Sequence, residues 1–482
     1  MKGKGSFRAA RALQAGARTA LLACALGAAA APELPKVRLD PEGRGFVTDA
    51  GRPFVPLGVN YFRPGTGWAP QVWKQFDPQA TRRDFARLRA LGANCVRVFL
   101  TFGSFYTEPG RLNPEGLEKL DRFLALAEEA GLYVHPTGPD HWEGLPEWAR
   151  GDRLAGESVL RALEDFWRLL AARYRGRPVL FAYDLLNEPE VRWDTPAMRE
   201  RWTAWLKERY GDAAAVRAAW GTPDRPADLA DVPVPSREAP PGRELLDFQH
   251  CREAVAVAWT RRQVAAIKAA DPAALVTAGL IQWSVPVGLA GAWHYSGFRP
   301  AQQAPLLDFL EVHFYPLASG FYEYRDAEEE LRNLAYLHTV VREAARPGKP
   351  VVIAEFGWYG GGQPRLNQGR HPFASEEQQA RWCRRVIERT AGLACGWLNW
   401  GLYDHPEARD VTELTGLFTT EGREKAWARE FRALAARWAN GVPVTPVPAD
   451  APVPDWDRLI TDAAAREAFR ARALEWYRRR GR

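Results

Sequence analysis

The chain has 482 residues, 46% hydrophobic and 26% charged, the balance of a folded protein with a large core. Of its formal net charge of +6, five units come from Lys2, Lys4, Arg8, Arg11 and Arg18, with no acid among residues 1–31. The rest is close to neutral, which excludes the basic face of a nucleic-acid-binding domain.

Residues 1–31 join that basic segment to an apolar run, Ala20 to Ala31 (ALLACALGAAAA), and to small residues suited to cleavage near Ala30. The pattern predicts a secretory signal peptide, too short for a membrane span, and a secreted or periplasmic destination. Cys24 follows Leu-Leu-Ala, but the apolar run before it is too short for a lipidation signal. No later segment is apolar enough to cross a bilayer. Cys95, Cys251, Cys383 and Cys395 form no Cys-x-x-Cys pair and no Cys/His zinc spacing, so buried free thiols are expected.

Residues 37–53, with "DAGRP" as a turn, predict a small hairpin closing the bottom of the fold. Eight strand-like runs come next: 54–62, 93–102, 132–138, 178–188, 274–281, 308–315, 349–358 and 392–403. Helical patterns separate most of them, at 116–130, 158–176, 327–345, 375–390 and 423–438. In residues 158–176, Val159, Leu163, Phe166, Leu170 and Tyr174 recur at steps of three and four, giving one buried stripe. Gly92, Gly131, Gly176 and Gly392 stand where helices stop before the next strand. The alternation predicts an α/β fold, a (β/α)8 TIM barrel over residues 32–441, with a doubly wound sheet as the alternative.

Two regions break the rhythm. Residues 191–273, after the fourth strand, hold a Pro/Asp-rich stretch among helical patterns and are expected at the catalytic face, which β-to-α loops build. Residues 442–482 read as a Pro-rich linker and a C-terminal helix at 456–480, docked on the barrel wall.

In a barrel, residues at the C-terminal strand ends share one mouth. Those ends are Arg97, His135, Asn187 and Glu188, His313 and Tyr315, Glu355, and Asn399 with Trp400. His141 and Trp142 lie just beyond the third strand, and Trp283 and Trp358 follow the fifth and seventh. Glu188 alone could end a strand, and Glu355 alone could pair with Arg97 in the core. Both together, on strands four and seven of eight, point to chemistry.

Two carboxylates across one pocket are the equipment of glycoside hydrolysis, about 5–5.5 Å apart for retention or about 6.5–9.5 Å for inversion. Arg97 is suited to hold Glu355 ionised and Tyr315 to fix its rotamer. Trp400 offers a flat face to a pyranose ring, and Trp142 and Trp358 are further candidates for the sugar subsites. No P-loop, Gly-x-Gly-x-x-Gly, His-Glu-x-x-His or Gly-x-Ser-x-Gly motif is present, so no cofactor or metal is expected and the partner is a carbohydrate.

In these motifs the sequence resembles clan A glycoside hydrolases, family 5 in particular, the cellulase and mannanase family. The matching residues are Arg97, His135, Asn187-Glu188-Pro189, His313-x-Tyr315, Glu355 in "IAEFG", and Trp400. The resemblance implies a retaining β-glycosidase with Glu188 as acid/base and Glu355 as nucleophile, acting on a β-mannan or β-glucan type of oligo- or polysaccharide. The segment "WTAWLKERYGDAAAVRAAWGT" instead resembles family 42 β-galactosidases. It keeps exo-acting β-galactosidase and β-mannosidase readings open, beside a non-catalytic carbohydrate-binding barrel.

Overall fold

A computed structural model describes residues 34–66, 72–224, 226–316, 322–365 and 371–480. The expected leader, with Cys24, lies outside them.

Eight parallel strands close on themselves: β4 (Leu57–Asn60), β5 (Cys95–Thr101), β6 (Tyr133–Asp140), β7 (Tyr183–Asn187), β8 (Val276–Leu280), β9 (Leu310–Phe314), β10 (Val351–Phe356) and β11 (Gly396–Asn399). β11 pairs with β4 through Leu398 and Gly58, which seals the barrel. The fold is the expected (β/α)8 barrel, and each strand falls inside its predicted run except at the end of β6, which extends two residues further, to Asp140.

Sequence alternation sorts each strand between two environments. In β5, Val96, Val98 and Leu100 join the large apolar cluster shared with the helices, whereas Cys95 belongs to a separate cluster. That second cluster also takes in Phe181, Phe309 and Val352. It is closed by a small antiparallel sheet, β1 (Val37–Leu39), β2 (Phe46–Thr48) and β3 (Pro53–Phe54). Phe46 meets Phe181 and Phe309 edge-on at 5.1 and 5.2 Å, and Phe54 meets Tyr133 at 4.8 Å. Since these partners lie at the N-terminal ends of barrel strands, the sheet plugs the bottom; it is a three-stranded meander rather than a simple hairpin. Gly92, Gly131, Gly176 and Gly392 all have positive φ, as helix-stop residues require. Cys95, Cys251, Cys383 and Cys395 are buried and free.

After β7 the chain builds α5 (Pro196–Tyr210) and α6 (Ala213–Trp220) before α7 (Arg243–Ala270). Trp202 stacks on Trp205 and Trp220 and meets Phe248 of α7 edge-on, giving the insertion its own aromatic core. Trp193 and Trp202 donate to the carbonyls of Pro235 and Pro233, pinning the Pro-rich stretch.

The tail is part of the same body as the barrel. Its helix runs in two pieces, α12 (Trp456–Leu459) and α13 (Ala463–Arg480), broken where Asp462 accepts from the backbone of Ala464 and Ala465. Phe469, Ala473, Trp476 and Tyr477 of α13 are buried, and the last two pack on His338 of α9 (Ala327–Ala345). Among the described residues, no helix is long and apolar enough to cross a membrane.

Candidate active site

Above the apolar bottom lies a buried charged layer centred on Arg97, which is fully enclosed. Its Nη1 donates to Glu355 Oε1 at 2.7 Å and to Asn60 Oδ1 at 2.8 Å. Its Nη2 donates to Asp184 Oδ2 at 2.7 Å and Asn187 Oδ1 at 2.9 Å, and Nε lies 3.3 Å from Glu311 Oε1. One guanidinium thus ties β5 to β4, β7, β9 and β10. Burial opposes its charge, but Asp184, Glu355 and Glu311 outweigh that and raise its pKa. A buried ion survives only when neutralised and hydrogen-bonded in this way.

His135 and His313 extend the layer. His135 Nδ1 sits 2.8 Å from the Ala182 carbonyl and Nε2 2.7 Å from Glu311 Oε2. Facing a carbonyl, Nδ1 must donate. His313 places Nε2 3.4 Å from Glu311 Oε1 and Nδ1 3.1 Å from Glu188 Oε1 and 3.5 Å from Glu355 Oε1. Burial disfavours the His313 cation, yet Glu355, Glu188 and Glu311 push its pKa up to about 10. Gly279 on β8 lets this ring in: a Cβ there would stand 2.9 Å from His313 and 3.2 Å from Arg97.

At the top of the layer are the two expected acids. Oxygens of Glu188 and Glu355 lie within 4.8 Å of one another, with a His313 ring nitrogen inside the same limit. Glu355 is buried and accepts from Arg97 and, at 2.9 Å, from the Tyr315 hydroxyl. Burial raises its pKa, helped by the charge of Glu188 and opposed by His313, Arg97 and the Tyr315 hydrogen bond. Glu188 is more open, with 28% of its side chain exposed. Its φ of 48° lies in the left-handed region, shared among described non-glycine residues only with Tyr324. Such backbone strain persists where the surroundings impose it, often at functional sites.

Aromatic rings cap the layer. Trp400 packs against Phe62 and Phe99 at 5.2 and 5.8 Å, with Trp142 and Tyr315 alongside, and donates to Thr412 Oγ1 at 2.7 Å. Trp142 stacks on His141 at 4.8 Å. A cleft of about 600 Å³ opens beside Glu188, lined by Trp142, His141, Asn187, Trp283 and residues of the loop after β7.

Of the expected residues, His141, Trp142, Asn187, Glu188 and Trp283 line this cleft and the others do not. Trp358 is wholly buried and donates to the Tyr322 carbonyl at 2.9 Å, so it is a packing residue behind Glu355 and not a sugar platform. His135 lies beneath the mouth and meets the charged layer through Glu311 and Asp184. Asn399 is likewise structural, accepting from Trp427 Nε1 and donating to the Gly401 carbonyl. Asn60, which ends β4, is a strand-tip residue that the sequence reading passed over. Asp184 and Glu311 were missed because they lie deeper on the inward face. Their signal was a charge inside an apolar run, as in "FAYDLLNE" and "DFLEVHFY".

Among the described residues, two trios bring three possible metal-donor atoms within 4.8 Å: His135 with Asp184 and Glu311, and Glu188 with His313 and Glu355. In the first, the Arg97 guanidinium already serves as the cation; in the second, the His313 ring does.

The arrangement matches a known family across most of its length. The model for cellulase (glycosyl hydrolase family 5) covers residues 47–405. The chain belongs to glycosyl hydrolase family 5. Its relatives within and around that family differ in substrate. A β-galactosidase, BgaA, from a Thermus species is 27% identical over 72% of this chain and 53% of its own length. Another β-galactosidase, from Thermus thermophilus, is 28% identical over 62% of this chain and 45% of its own. The family 5 chain therefore spans about half the length of these curated relatives.

In fold, this family 5 chain is similar to a GH5_18 protein from Streptomyces cattleya, solved as a variant in complex with Manβ1-4GlcNAc. The TM-score is 0.58 at 22% identity, covering 87% of this chain and 92% of that one. It is also similar to the exo-β-1,4-mannosidase Op5Man5 from Opitutaceae bacterium strain TAV5, with a TM-score of 0.59 at 20% identity over 83% and 62% of the two chains.

Proposed function

We propose that the chain is a retaining β-glycoside hydrolase in which Glu355 is the nucleophile and Glu188 the acid/base. The observation that carries this is the spacing of the two acids, with oxygens within 4.8 Å of each other. Retention needs carboxyl groups about 5–5.5 Å apart, and inversion needs about 6.5–9.5 Å to admit a water.

The roles follow from surroundings. Glu355, held by Arg97 and Tyr315, attacks the anomeric carbon and expels the leaving sugar. Glu188, at the edge of the cleft and within 3.1 Å of His313 Nδ1, gives its own proton to the departing oxygen. It then takes a proton from the water that opens the glycosyl–Glu355 ester, restoring both groups.

We read the substrate as a β-mannan or β-glucan type of chain, the β-mannosidic option being favoured by the names of the fold neighbours. The insertion supports attack near a chain terminus, since its Trp193, Arg237 and Arg252 wall the cleft. The Thermus relatives favour β-galactoside as the second reading. The leader in the sequence supports export. A panel of aryl β-mannoside, β-glucoside and β-galactoside, with mannan and glucan, tests substrate and mode of attack together. Absence of turnover on all of them would refute the assignment.

A further inference from the structure

The cleft beside Glu188 is lined by Glu188 and not by Glu355. An acid/base stands on the leaving-group side of the bond it protonates, so this cleft receives the leaving sugar if the hydrolase reading holds. Its wall carries four arginines, Arg153, Arg192, Arg237 and Arg252, beside Glu188, Glu190 and Asp194.

The acids there are already engaged. Asp194 takes a two-pronged pair from Arg199 at 2.7 and 3.0 Å, and Glu190 accepts from Trp283 Nε1. The arginines are not. Among the described residues, Arg153, Arg192 and Arg237 have no carboxylate within ion-pair distance. Arg237 only rests over the Trp293 ring at 5.4 Å. Arg153 has a shielded Nη1 with no hydrogen-bond partner. Arg252 is buried and donates to the Val191 carbonyl and Gln249, with no anion in contact.

The electrostatics agree with this geometry. Burial lowers the pKa of Arg153 and the nearby charge of Arg192 lowers it further, while Asp140 and Asp152 oppose from beyond pairing range. Burial brings Arg252 down to about 10, with the charge of Glu190 opposing from beyond pairing range. Cations held this way gain from an anion placed among them, and a guanidinium fork fits a planar or tetrahedral oxyanion.

We propose that the leaving-sugar side of the cleft binds an anionic substituent, a carboxylate or a phosphate or sulfate ester, through Arg153, Arg192 and Arg237. Exposed Trp293 and partly buried Trp283 supply the apolar faces for the ring that carries it.

Calorimetric titration of the E355Q variant, which binds without forming the glycosyl ester, tests this directly. The ligands are three β-linked disaccharides alike except at C6 of the reducing-end sugar: hydroxymethyl, carboxylate and 6-phosphate. The expected result is about tenfold tighter binding of at least one anionic ligand, the scale of one charge-assisted contact. That preference should shrink with added salt and vanish in E355Q carrying R153Q, R192Q and R237Q. The carboxylate and phosphate arms tell the two sources apart. Equal binding of neutral and anionic ligands, or a preference that survives the arginine changes, would overturn the inference. Turnover of a neutral aryl glycoside by the unmodified protein reports separately on the hydrolase reading.

Discussion

Tyr315 donates its hydroxyl to Glu355 Oε2 at 2.9 Å while Arg97 holds the other oxygen at 2.7 Å. The proposed nucleophile is therefore clamped on both oxygens by groups from β5 and from the loop just after β9. Removing the hydroxyl in Tyr315→Phe frees one oxygen and deletes a bond that favours the charged carboxylate. The rate constant should fall by on the order of 10–100-fold, the cost of one or two hydrogen-bonding contacts to a charged group. Because that bond lowers the Glu355 pKa, its loss should move the acid limb of kcat/KM to higher pH. An acid limb unmoved by the substitution would contradict the clamp.

Replacing Glu188 by Ala should cost on the order of 10²–10⁴-fold on an ordinary substrate. An aryl glycoside with a very acidic leaving group should escape most of the first-step loss, because it needs no proton. Replacing Glu355 by Ala should abolish turnover of both substrates. Comparing the two variants on the two substrates assigns the roles.

His313 gives a pH prediction with a definite sign. Its pKa rises from 6.5 to about 10 in the folded chain, so the fold binds a proton that the unfolded chain releases earlier. The resulting stability is fully present below about pH 6.5 and is lost as pH rises through about 10. The melting temperature should fall across that window by more in the unmodified protein than in His313→Asn. Parallel curves for the two would show that the ring is not charged.

Glu311 meets His135, His313 and Arg97 with no solvent access. Glu311→Gln leaves Arg97 and His313 short of a counter-charge and should cost about 3–5 kcal/mol in urea unfolding, as broken buried pairs do. Burial works against the charge of Glu311, but His135, His313 and Arg97 lower its pKa overall. Its contribution is therefore present above the ordinary carboxylate range and lost as the solution is acidified below it.

The two tryptophans singled out on strands seven and eight should separate cleanly. Trp358→Ala should lower stability by about 3–5 kcal/mol, the usual cost of emptying a large buried site. Any activity retained by its folded fraction should show an unchanged KM. Trp400→Ala should raise KM, since the ring packs with Trp142 of the cleft wall and with Tyr315, which holds Glu355. Urea unfolding and substrate saturation curves on both variants check this.

The barrel was legible because eight apolar runs alternate with amphipathic ones, and period and length together leave few other folds. The acids were legible because a strand tip needs no Asn-Glu pair of its own. What was not legible was the depth of the charged layer. Glu311 lies two residues before His313, on the inward face that a period of two assigns it, whereas Asp184 lies three before Asn187 and joins it through the register shift between them in the β7–β8 pairing. An enclosed Arg97 demanded partners, and those charges were the available ones. Trp358 misled because the chain turns away after β10, which a tryptophan's position two residues past Phe356 does not reveal.

The Arg97 hub bears on how the chain can be cut. Its partners Asn60, Asp184 and Glu355 stand 37, 87 and 258 positions away along the polypeptide. A fragment ending anywhere before Glu355 would enclose a cation with one of its anions missing, or leave that region open to water. Splitting the protein into halves should therefore give pieces that recover order only on meeting each other, with ring closure and charge balance arriving in one event.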